Sequence, residues 1–503
     1  MDSDDGKTTK SSCNRFSNVK DAAKQRVNAV HASLFGSKEG NGDLATVVVV
    51  GGGYGGVRVA KDLDTASSSS KDFQVVLIDR KNYFLNNIAG VPAAVQKGYA
   101  DSMCIPYDKL FSERGNSTFL QAEVSEIRKD SVLVQGHEEP LYFDYCVIAT
   151  GSSYSFPFKI ADTLQQDAVE RFGKIPDLIA QADHIVVAGG GAVGCEMAGE
   201  IKTCFPGENK RVTLVHSREA LLPGDVKDEL RDKTLKALQQ LGVHVILGER
   251  LVDGLDTNNS PEDTTSTTDE NVQNQSFLSG KRRKLQTNQG TELEADLVFL
   301  CWGAAVNSAS LRAHFGSELI DKGPNRDRIS VDPKTLLIGN TDNIFAIGDV
   351  AALESKMACY AGEQGSYVAK KLIATIVANK KFQNAGDVEP YRYWGHPYPA
   401  MMVPLGGKLG YMQTPCAKGN ILGSPFAAMG KNHLIKSWAL TVRPACSFKC
   451  PFTFISNNQT NQQSDKEDLA KALGLSHEDA LLAIERGAFP ITHDAATDGR
   501  TST

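Results

Sequence analysis

The stretch "IVVAGGGAVGCEMAGEI", residues 185–201, decides the fold because "VVVVGGGYGGVRVAKDL", residues 47–63, has the same grammar. In each copy an apolar run rich in Val and Ile meets GxGxxG and then a helix-like tail. The glycines are Gly51, Gly53 and Gly56 in the first copy, and Gly189, Gly191 and Gly194 in the second. In such a motif the first glycine permits a tight turn, the second lets the backbone approach a diphosphate, and the third allows close helix packing. The helix N-terminus then offers free N–H groups and the positive end of its dipole to phosphate. A lone GxGxxG is a weak signal, but each copy here follows a strand-like apolar run, residues 46–50 and 184–187, which is the context a dinucleotide turn requires. The expected fold class is α/β, with two Rossmann-like dinucleotide-binding domains and a small β-rich C-terminal unit.

The strands that follow the two motifs end differently. "FQVVLID" closes on Asp79, an acid placed to take the ribose hydroxyls of an adenosine. "RVTLVHS" closes on His216, Ser217 and Arg218, and its first carboxylate, Glu219, comes only afterwards. A 2′-phosphate is therefore not repelled there by an acid at the strand end, and Arg218 or His216 can pair with it, unless Glu219 turns back to the ribose. One nucleotide held permanently and one exchanged is the arrangement of nicotinamide-dependent flavoproteins, in which hydride passes from C4 of NAD(P)H to flavin N5 and later to an acceptor. The expected cofactors are tightly bound FAD and exchangeable NADH or NADPH.

Other segments agree with two nucleotide sites. "YCVIATGSSYSFPF" and "LVFLCWGAAVNS" each set a strand before a turn, with Thr150 and Gly151 in one and Gly303 in the other, and these mark crossings between domains. "NIFAIGDVA" carries Gly348 and Asp349 from a strand into a helix start, where the Asp can bind the ribityl chain of a flavin. "KMACYAGEQG" then opens a helix near Tyr360 to Gln364 whose N-terminus would stabilise negative charge on a reduced flavin.

Composition bounds the alternatives. The chain has 503 residues, 41% apolar and 23% charged, and 54 Lys and Arg against 60 Asp and Glu give a net charge of −6. An acidic balance disfavours binding to nucleic acid. The ten cysteines show no CxxC pair or metal-ligand spacing, so no metal site is expected and a reducing compartment fits. A flavin disulfide reductase needs a redox cysteine pair after Asp79, and "NNIAGVPAAV" has none. No apolar run is long enough for a membrane span, and "MDSDDGKTTK" fits neither a secretory nor a transit signal.

Along the chain, residues 1–42 form a flexible arm with a narrow apolar stripe (Val19, Ala23, Val27, Val30, Leu34), either docked on the protein or laid on an anionic membrane. The FAD-binding domain is expected in two parts, 43–160 and 311–388, around an NAD(P)H-binding domain at 161–310. Residues 257–291 are low complexity and are expected to be a disordered insert, with "KRRK" inside it a solvated charge run or a nuclear-localisation patch. Residues 389–455 suit an α+β C-terminal unit, and 456–503 are a polar tail with one short helical piece.

The ordered words "VVVVGGGYGG", "LIDRKNYFLNN", "ATGSS", "GGGAVGCEMAGEIKTCFP", "RVTLVHS", "CWG", "FAIGDVA" and "KMACYAG" resemble the apoptosis-inducing-factor-like flavoproteins, in particular the ferroptosis suppressor branch. The resemblance covers about residues 44–445. It implies a pyridine nucleotide-disulphide oxidoreductase type of fold and an FAD-dependent NAD(P)H:quinone oxidoreductase acting on ubiquinone-like or vitamin-K-like quinones. Carried over, Asp79 and Lys81 match the adenosine-binding strand end, Glu196 a family Glu of the nicotinamide site, Asp349 the ribityl Asp, and Lys431 a family Lys near the flavin and quinone end. Two departures stand out. The chain begins Met1, Asp2, with no glycine there to myristoylate, and it has Leu85 and Asn86 where the branch has two His.

The expected location is cytoplasmic. Peripheral contact with a membrane or lipid-droplet surface and mitochondrial association both stay open, and no pattern fixes an oligomeric state. After Gly423, Phe426, Met429, Leu434, Ile435, Trp438 and Leu440 lie among Lys431, Lys436 and Arg443. That segment either rests on anionic lipid or closes the core of the C-terminal unit.

Overall fold

The computed structural model describes Phe35 and residues 44–442, apart from 71, 113–115, 208, 254–276, 303–304, 324–326, 381–387, 393–397, 407–408, 415–418, 424–434 and 436–441. All of these lie in the compact unit Met1–Cys446.

The chain opens with β1 (Ala45–Val50), α1 (Tyr54–Ser70), β2 (Phe73–Asp79), β3 (Ser117–Gln121) and β4 (Tyr145–Ile148). β1 pairs in parallel with β2 and β4, and β2 with β3. The "VVVV" run shows why the strand is continuous rather than alternating. A parallel sheet is covered on both faces, and Val47, Val48 and Val49 are all fully buried. Each such side chain contributes roughly 1.5–3 kcal/mol of hydrophobic stabilisation.

After the short strand β5 (Ser152–Ser153) the chain builds a second sheet. β6 (His184–Ala188), α2 (Ala192–Cys204), β7 (Arg211–His216), α3 (Asp228–Gln240) and β8 (Val243–Leu247) repeat the parallel strand-helix pattern. β9 (Leu251–Asp253), β10 (Phe277–Thr287) and β11 (Glu292–Leu300) follow, and the sheet order is β8-β7-β6-β11-β10-β9. The returning strand β12 (Ala305–Val306) pairs with β5, so the outgoing and incoming crossings hold each other. Thr150 Oγ1 donates to Asn307 O at 2.6 Å, and Asn307 Nδ2 donates back to Thr150 O at 3.0 Å. β13 (Ile344–Ala346) then joins the free side of β4, completing the first sheet in the order β13-β4-β1-β2-β3.

One expectation is corrected. Residues 277–287, in the second half of the supposed disordered insert, are strand β10, antiparallel to β11 and to β9. An antiparallel strand with one solvated face needs apolar residues only at alternate positions. Leu285 supplies the inward face at 2% exposure, and Arg282 on the outer face pairs with Asp296 at 3.0 Å. Within the basic run Arg282 and Lys284 are exposed, and Arg283 is half-buried. Thr287 O accepts from Gly290 N, and Gly290, at φ +87°, turns the chain into β11. Residues 257–276 lie outside the described residues, as do the amphipathic stripe near the N-terminus and the tail.

The long helix α4 (Ala358–Lys380) packs across α1 where glycines face each other, and a Cβ at Gly365 would fall 2.7 Å from Gly55 O. The C-terminal unit contributes β14 (Met401–Pro404), β15 (Gly410–Gln413) and β16 (Ile421–Gly423), an antiparallel meander. It sits on α2 so closely that a Cβ at Gly199 would fall 2.8 Å from Leu405 Cα. Among the described residues no helix is long and apolar enough to cross a membrane.

On α2, Glu200 is 6% exposed, and burial pushes its carboxyl up to about 7. Its free-chain value is near 4.5, so between the two the unfolded chain releases a proton that the folded chain keeps. Stability therefore falls as pH rises through this window, by on the order of 3 kcal/mol. Glu200→Gln is expected to melt higher than the parent at pH 8 and to lose the slope of melting temperature against pH over that range. A variant that melts lower at pH 8 would show that the carboxylate is held by compensating partners.

Candidate active site

The two glycine turns lie at the carboxyl ends of β1 and β6, and the contacts of their first and third motif glycines correspond. Gly51 and Gly189 have φ of +102° and +115°, and added Cβ atoms there would lie 2.4 Å from Ala149 O and 2.5 Å from Cys301 O. Gly56 and Gly194 press on those first glycines, with a Cβ 1.8 Å from Gly51 O and 1.9 Å from Gly189 O. Gly53 and Gly191 differ from both, since a Cβ at either would meet nothing within 4 Å. Each turn thus has two glycines required by the protein's own backbone and one that faces open space. That open side, at a helix N-terminus, is a cradle for a diphosphate.

The strand ends match as well. Gly52 N donates to Asp79 Oδ2 at 2.5 Å, and Gly190 N donates to His216 Nδ1 at 3.0 Å. His216 therefore stands in the second turn where Asp79 stands in the first. Arg218 and Glu219 are exposed beyond it. A Cβ at Gly248 would fall 2.6 Å from Glu219 Oε1, so that carboxylate lies against the turn after β8. In the first turn Tyr107 fills the space beside Gly52, donating its hydroxyl to Gly52 O.

Around the first turn the structure gathers cations. Lys81 N donates to Asp79 Oδ1 at 2.7 Å, and burial, opposed by the Asp79 charge, holds the Lys81 ammonium down at about 8. Gly348, at φ +72°, and Asp349 form the turn after β13. Asp349 Oδ2 accepts from Ser152 Oγ at 2.5 Å and lies 3.8 Å from Lys159 Nζ. Lys159 and Lys356 are both depressed by burial and raised by Asp349. Two carboxylates and three lysines beside an open glycine cradle suit a phosphate-bearing nucleotide that also carries hydroxyls.

The Asp349 turn is fixed from behind by buried polar groups. Gln364 accepts from Gly348 N at 2.6 Å and donates to Glu354 at 2.6 Å. Tyr391 also donates to Glu354, at 2.8 Å. Arg328 donates to the Asp349 and Glu354 carbonyls at 3.1 and 2.7 Å. Ser152, Lys159, Arg328 and Glu354 are the site residues that motif reading missed. The one available signal was Lys159, a single cation inside the apolar "FPFKIA".

Asn86, fully buried, accepts from Tyr54 Oη at 3.0 Å and donates to Ile435 O at 3.1 Å, joining the first turn to the C-terminal segment. Ile435 and Val442 are themselves buried, at 1% and 0% exposure, so neither belongs to a lipid-facing surface. Glu196 is half-buried on α2, two residues past Gly194. Thr150 and Gly151 sit in the paired crossing, while Gly303 and Lys431 lie outside the described residues. The described cysteines are free thiols. Cys104, the first cysteine after the Gly51–Gly56 turn, is pushed up to about 12 by burial.

The family model for pyridine nucleotide-disulphide oxidoreductases matches residues 45–365, from β1 into α4. The chain belongs to this family. Ferroptosis suppressor protein 1 of Taeniopygia guttata is 34% identical over 337 residues, 66% of this chain and 80% of that protein. Its counterpart in Xenopus tropicalis is 31% identical over 411 residues, 80% of this chain and 97% of that protein. The structure of a sulfide:quinone oxidoreductase from Aquifex aeolicus superposes with a TM-score of 0.56 at 17% identity, covering 82% of this chain and 96% of that one, which shows a shared fold. The resemblance read from the motifs is borne out, and the oxidoreductase is a member of the apoptosis-inducing-factor-like, ferroptosis suppressor branch. It is an NAD(P)H-dependent flavin oxidoreductase with FAD and NAD(P)H as cofactors.

Proposed function

We propose that this oxidoreductase is an FAD-dependent NAD(P)H:quinone oxidoreductase, with FAD on the Gly51–Gly56 turn and NAD(P)H on the Gly189–Gly194 turn. Bound FAD supplies the two-electron carrier between coenzyme and acceptor. The chain's own residues bind and align. Gly53 and Gly191 open each cradle, and Asp79 and Asp349 offer carboxylate oxygens to hydroxyls. Lys81 and Lys159 offset phosphate charge, and Glu196 lines the nicotinamide side. Hydride transfer itself demands alignment above all.

The observation that carries the acceptor is chemical. The segment after Asp79 holds no cysteine pair, and Cys104 is a buried thiol held far from its anionic form. Among the described residues no thiol pair forms a relay, which supports an acceptor that meets the flavin directly, as a flat quinone does. The branch that this chain belongs to supports the same choice. A small redox protein is the competing acceptor.

We also place the enzyme in the cytoplasm against a membrane or lipid-droplet surface, as a long-tailed quinone requires, with Ile435 removed from the contact set by its burial. Steady-state turnover should be compared with a water-soluble short-chain quinone, ubiquinone in liposomes, and a ferredoxin. Both quinones are expected to be reduced and the ferredoxin not. Preferential reduction of ferredoxin would overturn the quinone assignment, and failure with liposomes alone would remove the membrane.

A further inference from the structure

We infer that Glu200 supplies the proton that a quinone takes up on reduction, acting through Glu196, and that the row Glu196, Glu200, Cys204 along α2 leads protons in from solvent. This role rests on the quinone reading of the active site, because the quinone is what needs the proton. A quinone becomes a quinol by gaining two electrons and two protons. Both electrons and one proton arrive as hydride, so the balance Q + H⁻ + H⁺ → QH2 leaves one proton for an acid to give. Glu200 is left as a carboxylate by that step, and a proton from water restores it.

The geometry is that of a ladder on one helix. Glu196, Glu200 and Cys204 are spaced four apart on α2, and side chains so spaced are neighbours on a helix surface, with Cβ atoms about 5–6 Å apart. The ladder runs outward from the coenzyme cradle. Glu196 stands half-buried two residues past Gly194, Glu200 is 6% exposed, and Cys204 is exposed. The outer rung is a direct contact, with Glu200 Oε2 3.9 Å from Cys204 Sγ.

The setting of the ladder ties it to the flavin side. α2 packs on the short helix Gly90–Val95, which follows Asn86 and Asn87 and is buried throughout, and on β14 of the C-terminal unit. Neither of these elements carries a charged residue. α2 also packs on β6, β7, β8 and α3. Their titratable residues, among them His184, Arg211, His216, His244 and Lys236, do not act on the Glu200 charge. Burial sets it, opposed by the hydrogen bond from Cys204, the one titratable side chain among the described residues that acts on it. The carboxyl thus lies at about 7, where an acid can both give up and regain a proton near neutral pH.

The experiment uses the FAD-loaded full chain, NADH as donor and two acceptors. A short-chain ubiquinone takes up protons, whereas ferricyanide takes single electrons and no proton. For the parent, kcat with the quinone is expected to fall about tenfold from about pH 6 to about pH 8, as an acid in this range loses its proton, and kcat with ferricyanide should not follow that curve. Glu200→Gln should lose at least about tenfold of the quinone turnover at about pH 6, with a flat pH profile. It should keep its ferricyanide turnover, its flavin content and its rate of bleaching by NADH. Glu200→Asp, still an acid, should recover most of the lost quinone turnover together with the slope. Equal loss on both acceptors in Glu200→Gln would make Glu200 a support of the fold alone, and an unchanged quinone profile would remove it from the proton path. A parent whose quinone and ferricyanide profiles coincide would overturn the relay whatever the variants do. A parent that reduces ferricyanide but no quinone would overturn the quinone reading, and the relay with it.

Discussion

Gly191→Ala is expected to purify fully yellow and to bind NADH about a hundredfold more weakly, whereas Gly53→Ala is expected to fold and yet purify pale. The reasoning is the same for both turns. A methyl at either position meets no protein atom within 4 Å, so neither variant strains the fold. What the methyl does meet is the volume where a diphosphate must approach the backbone. Losing that approach by an ångström or so is worth about 2.7 kcal/mol if it weakens binding a hundredfold. The two defects should not cross over, because the turns belong to different sheets. Gly56→Ala and Gly194→Ala provide the contrast: their methyls would lie 1.8 and 1.9 Å from backbone carbonyl oxygens, so these variants should lose melting temperature as well as ligand. Flavin absorbance and an NADH titration of all four proteins read the pattern. A yellow Gly53→Ala that reduces normally would show that the open side of the first turn is not the flavin cradle.

Asp349→Ala is expected to lose flavin to below about a tenth of full occupancy. The carboxylate accepts from Ser152 and faces Lys159 at 3.8 Å, and hydrogen bonds to a charged group are worth about 1.5–3 kcal/mol each. In the proposed assignment its removal would take away the acceptor for the ribityl chain, and it leaves the largely buried Lys159 ammonium without this counter-charge. Asp349→Asn keeps the shape and the hydrogen bonds but not the charge, and should retain an intermediate share of flavin. Full occupancy in the Ala variant would show that the flavin lies away from this turn.

How much of this was legible in the sequence depends on whether one residue type alone can do the job. Gly51, Gly56, Gly189 and Gly194 are pinned by positive φ or by backbone contact below 2 Å, and no side chain substitutes there, so the two turns show through. Asp79 and Asp349 are likewise acids closing apolar strands, a conspicuous pattern. Lys159 and Ser152 converge on Asp349 only through the crossing made by β5 and β12, and no local spacing encodes that meeting. β10 was hidden for a different reason. Its inward face needs few apolar side chains, and Leu285 is embedded in Lys, Arg, Gln and Thr that composition alone assigns to solvent. The pairing comes from β11, where Ala295, Leu297, Val298, Phe299 and Leu300 are buried. His216 was visible as a strand end, but the hydrogen bond that it accepts from Gly190 N across the turn was not.

The most direct measurement is an anaerobic titration of the yellow holoenzyme, first with NADH and then with a short-chain ubiquinone. The expected result is bleaching complete at one NADH per flavin, followed by return of the yellow colour at one equivalent of quinone. Bleaching by NADH with no return on quinone, and return only when a ferredoxin is added, would contradict the quinone assignment.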